Sequence, residues 1–190
     1  MKSQALVFTV VSMIAAVSAP ARAEELRGVL NFYELNPSVS RGAQPTDEGF
    51  QTLAKRGVKT VIDLRRPNEH STEAERKVVE SLGMRYVNVP MEGVVSPSNS
   101  QVSQILALLN DQSAGPVFVH CKRGADRTGG VIACYRMQHD RWDNNKALKE
   151  AKKNGMAWTQ FGIKAYVLGY RPALSAPPTA IEAVAADAPK

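Results

Sequence analysis

The sequence predicts an α/β fold with a central, mainly parallel sheet flanked by helices. Three features of its 190 residues carry that expectation. Short β-rich runs alternate with stretches of helical apolar spacing, the pattern of parallel strands joined by crossovers. Glycines at 57 and 83 punctuate the passage from helix to strand. After the Gly115-Pro116 breaker, Val117-Phe118-Val119 reads as a buried strand ending at His120, and a glycine-containing loop then leads into a helical pattern with apolar residues at Val131, Ile132, Tyr135 and Met137.

Taken in order, the chain opens with Lys2, an apolar run from Ala5 to Val17, and Ala21-Arg22-Ala23. This is the pattern of a signal peptide over 1–23 cleaved after Ala23, with an uncleaved anchor as the alternative; the apolar run is short and weakly flanked for a membrane span. The expected location is therefore periplasmic or secreted, with no stable membrane anchor after cleavage. Thr46 caps a helix from Asp47 to Arg56, with Asp47 and Glu48 in its first turn. Val58–Leu64 is a strand, Thr72–Leu82 a helix closed by Gly83, and Arg85–Val89 a second strand. Ser100–Leu109 is helical through Val102, Ile105, Leu106, Leu108 and Leu109 and leads to the strand ending at His120. Helices follow over Thr128–Gln138, Asn144–Asn154 and Trp158–Tyr170. Beyond Arg171-Pro172 the composition turns Ala/Pro-rich, so 24–172 is expected to be one domain and 173–190 a disordered tail.

Lys and Arg number 24 against 18 Asp and Glu, a net charge of +6. Without Lys2 and Arg22 the balance is 22 against 18, or +4. That suits anionic ligands. No Lys/Arg-rich block suggests nucleic acid. His70, His120 and His139 fall in no metal-ligand spacing, so neither metal nor cofactor is expected. The chain is expected to act as a monomer. Cys134 lies about two turns into the helix that follows Cys121, roughly 10 Å or more from the loop at 1.5 Å per residue. A disulfide needs Cα atoms within about 7 Å. Cys134 is thus expected to be buried and Cys121 to stay a free thiol.

The chemistry concentrates in His120-Cys-Lys-Arg-Gly-Ala-Asp-Arg-Thr-Gly129. A loop between a strand's C-terminal end and a helix N-terminus gathers unpaired N–H groups at the positive end of the helix dipole. An anion is favoured there. The same field, beside cations, favours a thiolate at Cys121. Arg127 offers a planar fork to two phosphate oxygens, which lysine cannot match. Thr128 is placed to hydrogen-bond the sulfur. Lys122, Arg123, Gly124 and Ala125 line the anion site, and Gly124 and Gly129 are expected to let backbone approach a ligand.

Cys121, five residues, then Arg127-Thr128 match the C-x5-R-[ST] signature, and the chain resembles the dual-specificity branch of the cysteine-dependent phosphatases. Arg41-Gly-Ala-Gln-Pro45, Val58-Lys-Thr-Val-Ile-Asp-Leu-Arg65 and Tyr86-Val-Asn-Val-Pro90 are similar to upstream segments of bacterial and of plant or fungal atypical members. The resemblance covers about residues 27–172. It implies a dual-specificity phosphatase-like fold and hydrolysis of phosphate monoesters through a cysteinyl-phosphate. The substrates it implies are phosphotyrosine or other phosphoproteins, inositol phosphates or phosphoinositides. A rhodanese-type sulfurtransferase also places a cysteine on such a loop, but its loop is usually one residue shorter and lacks the Arg-Thr ending. A phosphate-binding module without turnover stays open.

Most members of that branch carry an acidic Asp about thirty residues before the cysteine. Here Met91-Glu92-Gly93-Val94 contains no Asp, leaving Glu92 as the carboxylate of that neighbourhood. Asp126, directly before Arg127, is similar to the loop Asp of myotubularin-type lipid phosphatases. Asp126 is preferred as the proton donor over Glu92, and Asp63 is read as an organiser of neighbouring loops. Lys122 and Arg123 resemble the extra loop cations of inositol-phosphate phosphatases. Arg65, with Arg66 and Arg41, is expected to widen that basic rim, and His120 to bond loop carbonyls or amides.

Overall fold

The computed structural model describes residues 26–172. The expected signal peptide and tail lie outside these residues. A five-stranded sheet is built from β1 (Tyr33–Asn36), β2 (Val39–Gly42), β3 (Thr60–Asp63), β4 (Arg85–Asn88) and β5 (Val117–His120) in the order β1-β2-β5-β3-β4. Only β1 runs antiparallel, against β2; the other pairings are parallel. The last strand in the chain is therefore the central one. All four of its residues are buried, as the apolar run 117–119 requires.

Among the described residues, α1 (Asp47–Lys55), α2 (Thr72–Ser81) and α3 (Asn99–Asn110) connect successive strands, and α4 (Asp126–His139), α5 (Asn144–Lys153) and α6 (Phe161–Gly169) follow β5. Thr46 caps α1 as expected, its hydroxyl accepting from Gly49 N at 3.2 Å. Ser98 and Gln101 form a capping box that starts α3 one residue before the anticipated Ser100. α6 begins three residues later than the expected Trp158, because Trp158 and Thr159 lie in a turn.

No strand was expected before Val58, yet β1 and β2 precede it. β2 reads Val-Ser-Arg-Gly, without the β-rich alternation that marks a strand. Its place comes from pairing: each of its residues stands opposite one of β5, and Ser40 Oγ donates to the Val117 carbonyl at 3.3 Å.

The sheet divides two cores. On one side α1 and α2 cover Phe50, Leu53, Val61, Val79 and Phe118. On the other, α3 to α6 cover Ile62, Val119, Ile105, Val131, Ile132 and Ile163. α6 meets α4 at Gly130, where a Cβ would stand 2.5 Å from Ile163 Cγ2. The bare glycine lets Ile163 seat fully, a burial stabilising by about 1.5–3 kcal/mol.

Candidate active site

β5 alternates its side chains between the two cores, so His120 and Cys121 point to opposite faces. Cys121, 2% exposed, belongs to the α3–α6 side at the C-terminal edge of the sheet. The segment after it runs into α4, whose N-cap, Ala125, has no side chain to satisfy the first-turn N–H groups.

Three consecutive carbonyls of this loop are tied outward. Lys122 O accepts from Gln44 N at 3.3 Å, Arg123 O from Asn31 Nδ2 at 3.2 Å, and Gly124 O from Arg41 Nη2. With its carbonyls held out, the loop turns its amides in. Among the described residues the N–H groups of Lys122, Arg123, Gly124 and Ala125 have no acceptor. Gly124 makes this possible at φ +66°, packed so closely on β2 that a Cβ would stand 2.2 Å from Gly42 C. The resembling segment Arg41–Gln44 is thus the loop's backing. Gly129 does something else than expected: its bare face meets Met156 Cε at 3.3 Å and Ala151 Cβ at 3.4 Å, so it admits α5 rather than a ligand.

Arg127 is held beside Cys121 by a partner that sequence reasoning missed. Its Nη1 and Nη2 donate to the two carboxylate oxygens of Glu69 at 2.7 and 2.9 Å, and Nη1 also reaches Met91 O at 3.2 Å. The Cys121 sulfur interacts with the same guanidinium, whose Nε–H and second Nη2–H, on its remaining edge, have no carboxylate or carbonyl partner among the described residues. That edge matches two oxygens of a phosphoryl group. Burial opposes the Arg127 charge, but Glu69 and Cys121 outweigh it and raise its pKa. The hydrogen bond from Arg127 holds the Glu69 carboxyl down at about 2. Nothing in the turn Pro67-Asn68-Glu69 signals this contact, which depends on how the chain leaves β3. Thr128 is fully buried with Oγ1 unpartnered, so the expected bond to sulfur is not formed.

Both candidate proton donors carry partners. Asp126 Oδ1 accepts from Ala157 N at 2.8 Å, and Oδ2 from the Arg123 guanidinium. This carboxylate ties α4 to the segment before α6. Glu92 accepts from Arg66 Nη1 at 2.7 Å, in a pair whose side chains are 38% and 51% exposed.

The expected basic rim is smaller than the sequence suggests. Arg65 is 6% exposed and lies on the other face of the sheet, its Nε 3.0 Å from Asp63 Oδ1 and its Nη2 on Glu75. It is not placed to touch substrate, because period-2 alternation sends it with Asp63 and Val61 toward α2. Arg41 is 1% exposed beneath the loop. Lys122 and Arg123 remain at the surface, and Arg66 with them.

Asp63 gathers a buried network, as its organising role anticipates. Tyr86 Oη donates to it at 2.9 Å, and His70 Nε2 lies 2.7 Å away. Burial works against its charge, yet His120 and Arg65 hold its pKa low. His120 departs from expectation. It stacks on Phe118 with centroids 5.6 Å apart, 3.0 Å from Glu75, and its ring nitrogens make no hydrogen bond to the loop among the described residues. Asp63, Glu75 and His120 bring ligand atoms within 4.8 Å of one another, but Arg65 already occupies both carboxylates as their cation. Cys121 and Cys134 are both free thiols.

The comparisons with known proteins agree with this geometry. A family model described as DSP-PTPase phosphatase fused to NAD+ kinase matches residues 14–165. The dual specificity protein phosphatase TpbA of Pseudomonas aeruginosa is 29% identical over 141 residues, covering 74% of this chain and 62% of TpbA. Inositol diphosphatase DSP3 of Arabidopsis thaliana is 29% identical over 135 residues, 68% of this chain and 65% of that protein. The chain thus spans a little under two thirds of the length of these relatives. A crystal structure of P. aeruginosa TpbA in complex with pTyr superposes with a TM-score of 0.66 at 28% identity, over 82% of this chain and 92% of that one.

Proposed function

The chain belongs to the DSP-PTPase phosphatase family, and from that premise we propose that it hydrolyses phosphate monoesters through a cysteinyl-phosphate intermediate. One observation carries the reading: the carbonyls of 122–124 are drawn outward, leaving unpartnered amides and the open edge of Arg127 around Cys121. Such a cradle stabilises the equatorial oxygens of a transferring phosphoryl group without reorganising as charge shifts.

In the first step the Cys121 thiolate attacks phosphorus, an S–P bond forms, and the ester P–O bond breaks. The leaving oxygen takes a proton from a carboxyl group. In the second step that carboxylate removes a proton from water, whose oxygen attacks phosphorus. The S–P bond breaks, returning the thiolate and releasing inorganic phosphate. Buried Thr128 Oγ1, unpartnered among the described residues, is the donor assigned to the departing sulfur.

We assign the carboxyl role to Glu92 rather than Asp126. Among the described residues Glu92 is engaged only by Arg66, in a solvent-screened surface pair that is easily released. Asp126 has both oxygens committed to fold contacts. The substrate class is a phosphate monoester on a protein or an inositol, with exposed Lys122, and Arg123 and Arg66 once released from their carboxylates, meeting neighbouring anionic groups. Export of a monomeric chain to the periplasm or beyond, on the strength of the N-terminal pattern, completes the proposal. Mass spectrometry should then give a mature N-terminus at Glu24.

The purified chain is expected to hydrolyse an aryl phosphate without added metal, to be inhibited by vanadate, and to lose turnover as Cys121→Ser. Full activity of that variant defeats the mechanism. For the acid, Glu92→Gln should depress kcat about 10²-fold or more on a substrate with a poor leaving group and flatten one limb of the pH profile. Asp126→Asn should keep the profile while losing thermal stability. The reverse pattern transfers the role to Asp126. A phosphate-binding module without turnover is distinguished by tight vanadate binding with no phosphate release.

A further inference from the structure

Arg41 is the largest fully buried side chain among the described residues, and the reaction scheme gives it no task. On β2 it stands opposite Val119, two residues before Cys121, so strand alternation brings it under the loop on the Cys121 face. Its Nη2 donates to the Gly124 carbonyl, whereas Nε and Nη1 have no partner among the described residues. A guanidinium withdrawn from water without a bonded carboxylate is costly unless an anion compensates it. Glu150, the carboxylate within its field, is already held by Arg136 through Nε at 3.1 Å and Nη2 at 2.9 Å. Burial pushes the Arg41 pKa down to about 10, against the opposing charges of Cys121 and Glu150. At neutral pH it remains a cation.

We propose that Arg41 is a positioning residue that holds the loop open from beneath through the Gly124 carbonyl and supplies the buried positive charge that balances the anion at Cys121. Drawing the Gly124 carbonyl down turns the adjoining amides toward the ligand. The charge favours first the thiolate and then the phosphoryl oxygens in the cradle. Arg127 faces the same sulfur from α4, and its charge is shared with Glu69. Among the other titratable groups, Tyr33 stands opposite Arg41 on β1, Lys122 and Arg123 lie at the surface of the loop, and Asp126 is turned to Ala157 and Arg123. His120, Asp63 and Glu75 lie across the sheet. Arg41 is thus the buried cation at Cys121 that no carboxylate has claimed.

The inference rests on the phosphatase reading only in naming a phosphoryl group as the final anion, and its test separates the two. Arg41→Gln keeps a hydrogen-bond donor and removes the charge; Arg41→Lys keeps the charge and loses the planar fork. Each folded variant, checked by circular dichroism and melting, is alkylated with iodoacetamide across pH, titrated with vanadate, and assayed on an aryl phosphate. Arg41→Gln should move the alkylation profile up by about one pH unit and weaken vanadate about tenfold. Its kcat/KM should fall about 10²-fold. Arg41→Lys should restore the alkylation profile and lie within about tenfold of wild type in kcat/KM. A folded Arg41→Gln protein with wild-type alkylation and vanadate affinity overturns the inference. If Arg41→Gln does not fold, Arg41→Lys decides alone: an unmoved alkylation profile supports the charge role, and one displaced by a unit or more refutes it. Alkylation and vanadate binding require no turnover. A chain that binds vanadate through Arg41 yet releases no phosphate would sink the enzymatic reading and leave this one standing.

Discussion

Replacing Gly124 by alanine tests whether the loop's closeness to β2 builds the anion cradle. The residue sits at φ +66°, where an L side chain costs about 1–2 kcal/mol. The new Cβ would also stand 2.2 Å from Gly42 C, 2.3 Å from Gly42 O and 2.4 Å from Ala43 N, all backbone atoms. Ordinary contacts begin near 3.4 Å, so the parts must separate by about 1.2 Å. β2 cannot retreat, because Gly42 is paired with His120 and backed by Val29 Cγ1 and the Phe118 ring. The loop moves instead, carrying the 122–125 amides away from Cys121. Misplacement of about 1 Å can cost on the order of 10²-fold in rate. A stability loss of about 2 kcal/mol lowers Tm by roughly 4–8 °C in a domain of this size. Gly57→Ala is the control: its φ is +87°, but nothing lies within 4 Å of the added Cβ. It should lose about 1 kcal/mol and keep wild-type kcat/KM. Steady-state kinetics and thermal melts on both variants check this. A Gly124→Ala enzyme no slower than Gly57→Ala would show that the contact with β2 does not shape the cradle.

Two further exchanges probe the surroundings. Glu69→Gln removes the carboxylate that braces Arg127. Because the folded carboxyl is held at about 2, below its ordinary 4.5, its stabilisation is present above 4.5 and lost as pH falls toward 2. The Tm gap between wild type and Glu69→Gln should therefore be level from about pH 5 to 8 and close on further acidification; a gap unchanged near pH 2 refutes the pairing. Burial pushes the Cys134 thiol up to about 12, so iodoacetamide at neutral pH should label Cys121 alone in the folded protein. Cys134→Ser should leave kcat/KM intact and cost about 1–3 kcal/mol in urea melts through an unsatisfied buried hydroxyl; equal labelling of both cysteines, or no loss, contradicts this.

What sequence reasoning could reach here follows from how locally each feature is encoded. The helices announce themselves through apolar spacing and, for α1, through the Thr46 cap, and β5 through an unbroken apolar run. The Cys121–Thr128 loop is contiguous, so its chemistry is legible in one line. β1 and β2 are not, because Tyr-Glu-Leu-Asn and Val-Ser-Arg-Gly acquire strand character only from their neighbours. The supports of the loop are equally non-local. Glu69 stands 58 positions from Arg127, and Arg41 stands 83 from Gly124. Arg65 is hidden for another reason: its place at a strand end suggests a rim cation, whereas alternation along β3 assigns it to the Asp63 face.

The strand order also bears on how the protein is made. β5 lies between β2 and β3, and both are synthesised well before residues 117–120 emerge. Until then each inner strand offers an open row of amides and carbonyls, the kind of edge that recruits foreign strands. Closing both rows takes pairings across long stretches of chain, with slow loop closure that leaves intermediates exposed to aggregation. The segment that carries the nucleophile is thus also the one that seals the sheet, and a ribosome-bound chain ending before it would hold neither a site nor a finished fold.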